Sequence, residues 1–100
     1  MTPTVRFKTI TDLSRVGSAL VTDIQKTGKA IILTKRGIPV VLLKKALKTD
    51  KGEIETVSNL RNNALAIIAK VEKTGKPLII TKNGEPVVCV QKIKEEISIE

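Results

Sequence analysis

Two apolar runs joined by a tight turn occupy residues 77–88, Pro77-Leu78-Ile79-Ile80-Thr81-Lys82-Asn83-Gly84-Glu85-Pro86-Val87-Val88. Both runs are rich in β-branched residues, a composition that is typical of strands. Asn83-Gly84 is a favoured pair for a two-residue hairpin turn, because both positions readily adopt a positive φ. Pro86 fits the entrance of a strand, where a missing amide donor is tolerated. The segment therefore predicts a β-hairpin.

The same pattern occurs once more, 47 residues earlier, as Ala30-Ile31-Ile32-Leu33-Thr34-Lys35-Arg36-Gly37-Ile38-Pro39-Val40-Val41. A shift of 47 residues aligns Thr9–Lys45 with Thr56–Lys92, and Thr27-Gly28-Lys29 recurs as Thr74-Gly75-Lys76. Such a dense self-match predicts two copies of one unit. We assign residues 1–47 and 54–93 to the copies, 48–53 to a polar linker and 94–100 to a short tail.

The segment before each hairpin predicts a strand followed by a helix. The strands are expected at Val5–Ile10 and Ile54–Val57, and the helices are expected to begin at the capping residues Thr11-Asp12 and Ser58-Asn59. Apolar residues then recur at helical spacing in both copies: Leu13, Val16, Leu20 and Ile24, and Leu60, Ala64, Ile67 or Ile68 and Val71.

Each helix is expected to be interrupted early and to end at a glycine. Gly17-Ser18 and Asn62-Asn63 are poor helix interiors at nearly corresponding places, so a short turn followed by a longer helix is predicted. Gly28 and Gly75 are predicted to end the helices, because glycine readily takes the left-handed conformation.

The strand runs are continuously apolar, which implies cover on both faces of the sheet. One copy of under 50 residues is too small to provide that cover. The sequence therefore predicts an α+β fold in which two homologous strand-helix-helix-hairpin halves form a single-chain pseudo-dimer around a shared antiparallel sheet. Further association of such chains is left open.

Composition restricts the function. The chain has 100 residues, no histidine and one cysteine, Cys89, so Ser-His-Asp catalysis, the usual zinc sites and an internal disulfide are all excluded. We predict no enzyme activity, no metal and no cofactor. The sequence contains no apolar run of about 18 residues, so we expect a soluble, cytoplasmic protein without membrane contact.

Charge favours a polyanionic partner. Eighteen Lys and Arg against ten Asp and Glu give a net charge of +8, and Phe7 is the one aromatic residue, so base stacking on a single strand is not expected. Residues 1–47 carry nine basic and two acidic groups, hence +7, whereas residues 48–100 carry nine and eight, hence +1. Duplex DNA fits this balance, although lysines that only maintain solubility fit it equally.

The order strand, short helix, helix, β-hairpin, with Arg61-Asn62-Asn63 opening the helix and the hairpin motif quoted above, resembles the Phd/YefM antitoxin family. The second copy is the closer match. The resemblance implies a dimeric α+β domain that binds palindromic DNA and represses its own operon, with a carboxy-terminal segment that neutralises a toxin. The family's arginine at the predicted helix start corresponds to Arg61, and Ser14 occupies the equivalent position of the first copy, with Arg15 next to it.

The candidate DNA-binding residues follow from charge and resemblance. Arg61 could reach a phosphate or a base edge. Lys35, Arg36 and Lys82 lie at hairpin tips, where the family places a second basic contact, and Arg6, Lys8 and Arg15 could extend the basic face. Each of these residues has the alternative of being an ordinary exposed charge.

We therefore predict a DNA-binding, antitoxin-like transcriptional regulator that represses its own operon and binds an imperfect palindrome. The alternative is a protein-binding antitoxin or assembly module that grips a partner toxin without binding DNA.

Overall fold

The structure is a computed structural model that describes residues 6–93. Its elements in chain order are β1 (Arg6–Thr9), α1 (Ile10–Thr27), β2 (Ile31–Lys35), β3 (Ile38–Lys45), β4 (Glu53–Thr56), α2 (Val57–Asn62), α3 (Ala64–Thr74), β5 (Leu78–Lys82) and β6 (Glu85–Lys92). We call residues 6–45 the amino-terminal part and residues 53–92 the carboxy-terminal part. Val5, predicted to begin a strand, and the predicted tail at 94–100 lie outside the described residues.

All six strands form one mixed sheet in the order β1-β2-β3-β6-β5-β4. The α+β class is confirmed, but the prediction of an antiparallel sheet is wrong for the outer pairs, because β1 lies parallel to β2 and β4 lies parallel to β5. In each case a helix separates the two strands in sequence. A connection of that length allows the chain to return in the same direction, which a tight turn cannot do.

The helices begin earlier than predicted, at Ile10 and Val57, because threonines cap them. Oγ1 of Thr9 accepts a hydrogen bond from the amide of Asp12 at 3.0 Å, and the Asp12 carboxylate accepts one from the amide of Thr9 at 3.1 Å. Oγ1 of Thr56 accepts from the amide of Asn59 at 3.0 Å. Asp12 is thus the third residue of a capping box rather than the cap itself.

An interruption is present in both parts, within the predicted Asn62-Asn63 in one and at Val16, one residue before the predicted Gly17-Ser18, in the other. In the carboxy-terminal part, α2 ends at Asn62 and α3 begins at Ala64, and Asn63 between them has φ −127° and ψ 37°. In the amino-terminal part, α1 continues to Thr27 but kinks at Val16, which has φ −128° and ψ 31°. The two interruptions therefore share one backbone conformation, 47 residues apart. Both helices end as predicted, at Gly28 and Gly75 in the left-handed conformation.

Both predicted hairpins are confirmed, as β2–β3 and β5–β6. Asn83 and Arg36 have φ values of 55° and 56°, and the glycine after each also has a positive φ, as a tight two-residue turn requires. The register shifts at Leu33/Thr34 and at Ile80/Thr81, next to the positions where Pro39 and Pro86 pair. Such a bulge accommodates a proline that cannot donate to the ladder.

One apolar core lies between the helices and one face of the sheet. Fully buried helix residues such as Leu13 and Ile68 pack with strand residues of both parts, including Leu33, Leu43 and Val90. Helix α1 contacts β6, and α3 contacts β3, so the helices of each part cover a strand of the other. Among the described residues, no helix is long and apolar enough to span a membrane.

Cys89 and Ile79 are buried but do not belong to the apolar cluster that the helices form with the sheet. The segment between β3 and β4 is held to the carboxy-terminal part by a hydrogen bond from the amide of Ala46 to the carbonyl of Val87 at 3.1 Å. Asp50 of this segment also forms an ion pair with Lys44 of β3 at 2.9 Å. Burial raises the pKa of the Cys89 thiol, which keeps this residue in its neutral form.

Candidate nucleic-acid interface

Arg61 lies in the last turn of the short helix α2, not at a helix start as predicted, because the cap at Thr56 begins the helix at Val57. The residue is exposed, and the stem of its side chain packs on α1. A Cβ added to the buried Gly17 would lie 3.5 Å from both Cβ and Cγ of Arg61. Glycine therefore gives the stem a flat helix surface on which to lie.

The position equivalent to Arg61 differs in shape and charge. It is occupied by Ser14 of α1, which lines an open groove of about 400 Å³ together with Asn62, Asn63 and the exposed Leu65. Hydroxyl and amide groups here both donate and accept hydrogen bonds, but they carry no charge. The helical surface therefore presents an arginine at one position and a neutral groove at its counterpart.

A lysine at each hairpin tip contacts a helix of the opposite part. Nζ of Lys35 lies 3.9 Å from the Glu72 carboxylate of α3, and Nζ of Lys82 lies 3.4 Å from Oγ1 of Thr22 in α1. Both contacts are long for hydrogen bonds, and an ammonium group has three donors. Each lysine therefore keeps the capacity to contact a phosphate.

The two tips stand at opposite ends of the sheet. Strands β3 and β6 are antiparallel with Leu43 opposite Val90, and each tip residue, Arg36 or Asn83, comes seven positions before its member of that pair. The tips are thus 14 strand positions apart. At the usual rise of about 3.3 Å per strand residue this is about 46 Å, and the twist of the sheet shortens it. The molecule's longest dimension of 43 Å agrees with this separation.

Each helical segment begins beside a hairpin tip. Thr9, the cap of α1, pairs with Thr34 directly before Lys35, and Thr56, the cap of α2, pairs with Thr81 directly before Lys82. The structure therefore places the start of α1 next to the Lys35-Arg36 tip, and the start of the helix that carries Arg61 next to the Lys82 tip.

The remaining candidate DNA-binding residues differ in how free their side chains are to contact a ligand. Arg15 is 69% exposed in its side chain and has only a loose contact with Asp12 at 3.8 Å. Lys8 is half-buried beside Leu33 on the edge strand. Arg6 forms an ion pair with Asp23 of α1, and its Nε and Nη2 atoms are buried without a hydrogen-bond partner. Arg6 therefore holds β1 against α1 rather than standing free on the surface.

Sequence reasoning missed the counterpart of this ion pair. Glu53 and Lys70 stand 47 positions after Arg6 and Asp23, and they form the equivalent strand-to-helix contact at 2.8 Å with the charges exchanged. The hydrogen bond between them lowers the pKa of Glu53 and raises that of Lys70. Arg6 and Glu53 lie just before the aligned stretches that begin at Thr9 and Thr56, and only the packing of strand on helix shows that each charge has a partner.

The packing of Arg61 on Gly17 was also missed. In the sequence Gly17 is recognisable only as a poor helix former, and nothing there connects it with a residue 44 positions away.

Comparison with known families adds a functional context for the carboxy-terminal part. Residues 53–95 match the Phd_YefM antitoxin family of type II toxin-antitoxin systems. This match supports the resemblance to that family seen in the sequence. The matched residues include Arg61, Lys82 and the whole stretch from β4 to β6. No curated protein and no solved structure shows a significant match to the chain.

Proposed function

We propose that this chain is a DNA-binding antitoxin that represses its own toxin–antitoxin operon in the cytoplasm, and that its two parts act as the two subunits of a dimer. The observation that carries the proposal is the pairing of Leu43 with Val90 in a protein whose carboxy-terminal part matches an antitoxin family. A single chain would then present the paired surface that a repressor needs for the two half-sites of an operator.

The pairing of Leu43 with Val90 supports an internal two-fold relation because these residues are 47 positions apart. In an antiparallel pair, a two-fold axis places only the residue on the axis opposite its own equivalent, and the residues on either side pair reciprocally, as Leu42 with Gln91 and Lys44 with Cys89 do. Local features repeat at the same spacing, including the capping threonines and the left-handed Gly28 and Gly75. Together they support a tandem duplication of one domain within the chain.

The cationic residues support duplex DNA as the ligand. The Lys35-Arg36 and Lys82 tips carry exposed positive charge at the two ends of the sheet, and a duplex offers phosphates along that whole length. Arg61 is exposed on the helical side, where its guanidinium can contact a phosphate or a guanine edge. The excess of eight positive charges favours association at low salt.

Fluorescence anisotropy with a labelled duplex from upstream of the gene tests this function. We expect affinity to fall steeply with salt, and Arg61→Ala to weaken binding by about 1–3 kcal/mol if the arginine contacts a base. Lys73→Ala, which removes an exposed charge on α3, is the matched control and is expected to have little effect. Absence of binding at low salt, or binding that Arg61→Ala and Arg36→Ala leave unchanged, would contradict the proposal.

A second candidate function is protein binding without DNA binding. The family match itself favours it, because an antitoxin implies a toxin partner. Exposed apolar side chains on the edge strands, Phe7 at 60% and Ile54 at 68%, offer contact area for such a partner. Co-purification with the product of the neighbouring gene, in parallel with the anisotropy measurement, distinguishes the two functions.

A further inference from the structure

We propose that one chain occupies its operator mainly in one orientation, because the two parts present different chemistry to the two half-sites. This inference rests on the proposed DNA-binding function and goes beyond it. A symmetric homodimer binds a palindrome equally well after rotation by half a turn. A chain whose equivalent positions differ does not have this freedom.

The first asymmetry is on the helical surface. Arg61 lies on α1 beside Gly17, whereas the equivalent Ser14 lies beside Ala64 and leaves the 400 Å³ groove open. The guanidinium group of an arginine can bind O6 and N7 of guanine together. The serine hydroxyl and the side-chain amide of Asn62 are uncharged and reach less far from the helix. The exposed Arg15 follows Ser14 but is rotated by about 100° around α1, so it does not take the place of Arg61. The half-site under Arg61 is therefore expected to carry a guanine that the other half-site does not require.

The second asymmetry is at the hairpin tips. Arg36 and Asn83 are equivalent, exposed and nearly identical in φ, so the same turn places a cation at one end of the sheet and an amide at the other. The amino-terminal tip thus has two cations, Lys35 and Arg36, and the carboxy-terminal tip has one, Lys82. We expect the amino-terminal part to hold its half-site mainly through phosphates.

The two asymmetries act together when the chain is turned around. Rotation by half a turn places Arg61 over the half-site that lacks its guanine and leaves the neutral groove over the guanine. The loss of one bidentate base contact corresponds to about 5- to 150-fold in affinity. We expect the preferred orientation to be favoured by a factor in this range.

Directed DNA cleavage tests the orientation. Ile38 and Glu85 are equivalent, exposed residues next to the two tips, so Ile38→Cys and Glu85→Cys form a matched pair for attachment of an iron–EDTA reagent. The unsubstituted chain, whose Cys89 is fully buried, is the control for labelling elsewhere. We expect each labelled variant to cut mainly one end of the bound upstream duplex, and the two variants to prefer opposite ends.

Equal cutting of both ends by both variants would overturn the orientation preference while leaving DNA binding intact. Absence of any binding by the unsubstituted chain would instead overturn the proposed function itself. The two failures are therefore distinguishable in the same experiment.

A gain-of-symmetry variant gives an independent readout. Ser14→Arg gives both parts an arginine at the equivalent position. We expect this variant to bind a synthetic palindrome, made of two copies of the Arg61 half-site, about 5- to 150-fold more tightly than the unsubstituted chain. Circular dichroism checks that the variant folds. A folded Ser14→Arg chain that binds this palindrome no better than the unsubstituted chain would contradict the assigned role of the Arg61 and Ser14 difference.

Discussion

Leu43 of β3 lies directly opposite Val90 of β6, and the two residues are 47 positions apart in the chain. This pair stands at the centre of the sheet, where both side chains are fully buried. The amino-terminal and carboxy-terminal parts are thus joined through their own equivalent strands. The stability of each part therefore depends on a strand that the other part supplies.

Residues 1–48 expressed alone are expected to be unfolded or to self-associate. Without the carboxy-terminal part, strand β3 keeps β2 on one side but loses β6 on the other and the cover of α3, so Val41 and Leu43 become more exposed. About 50 residues also bury too little surface for a stable monomer. In a self-associated form, β3 of two chains can pair with Leu43 opposite Leu43. Size-exclusion chromatography with light scattering and circular dichroism checks this, and a monomeric half with a cooperative unfolding transition would contradict it.

Exchange of charges in the strand-to-helix ion pairs is expected to affect stability only when one partner is changed. Arg6→Glu places a carboxylate next to Asp23, so we expect a loss of about 0.5–1 kcal/mol in the free energy of unfolding, and recovery on adding Asp23→Lys. The matched variants, Glu53→Arg without and with Lys70→Asp, act on a more exposed pair and should show a smaller effect. Urea denaturation measures all four, and a double variant no more stable than its single parent would show that the ion pair contributes nothing.

The hairpin tips are expected to contribute to DNA affinity through phosphates. Lys35→Ala or Arg36→Ala should each reduce the slope of log K against log salt by about one, because one fewer counterion is released. Affinity should fall by a similar factor for different DNA sequences. Lys73→Ala serves again as the control, and an unchanged slope in both tip variants would remove these residues from the interface.

Acid is expected to weaken the start of α1. The hydrogen bond from the Thr9 amide lowers the pKa of Asp12 from its ordinary value of 3.8. A lowered folded-state pKa contributes stability above the unfolded value, and that contribution is lost as the pH falls through the folded pKa. Urea denaturation between pH 7 and pH 3 should therefore show a shallower acid loss for Asp12→Asn, which does not ionise. An identical pH profile for both chains would contradict this.

Replacement of the helix-ending glycines is expected to be destabilising because of their backbone conformation alone. Gly28 and Gly75 have φ values of 72° and 71°, and no atom would lie within 4 Å of an added Cβ. Alanine at either position should cost about 1–2 kcal/mol of the free energy of unfolding.

Gly17→Ala is the matched control for the helix-ending glycines. Gly17 has no positive φ, and its Cβ would make ordinary contact with Arg61 at 3.5 Å, so a neutral or stabilising effect is expected. Thermal unfolding distinguishes the three variants, and equal losses in all three would refute the conformational explanation.

The candidate interface was predictable only in part. Charge and resemblance indicated Arg61 as a candidate contact, and the turn chemistry of Asn83-Gly84 placed Lys82 at a tip. The ion pair of Arg6 with Asp23 and the contact of Arg61 with Gly17 were not predictable, because each joins residues far apart in the chain.

The sequence by itself determined the features that depend on a few neighbouring residues. Glycine after a helix and Asn83-Gly84 in a turn act through local backbone conformation, and the 47-residue repeat is visible without any coordinates. Only the tertiary structure decided the direction of β1 and β4, the pairing of Leu43 with Val90 and the partner of each charge. These depend on how the helices return each chain segment to the sheet, and that is set by burial of one shared core rather than by any local pattern.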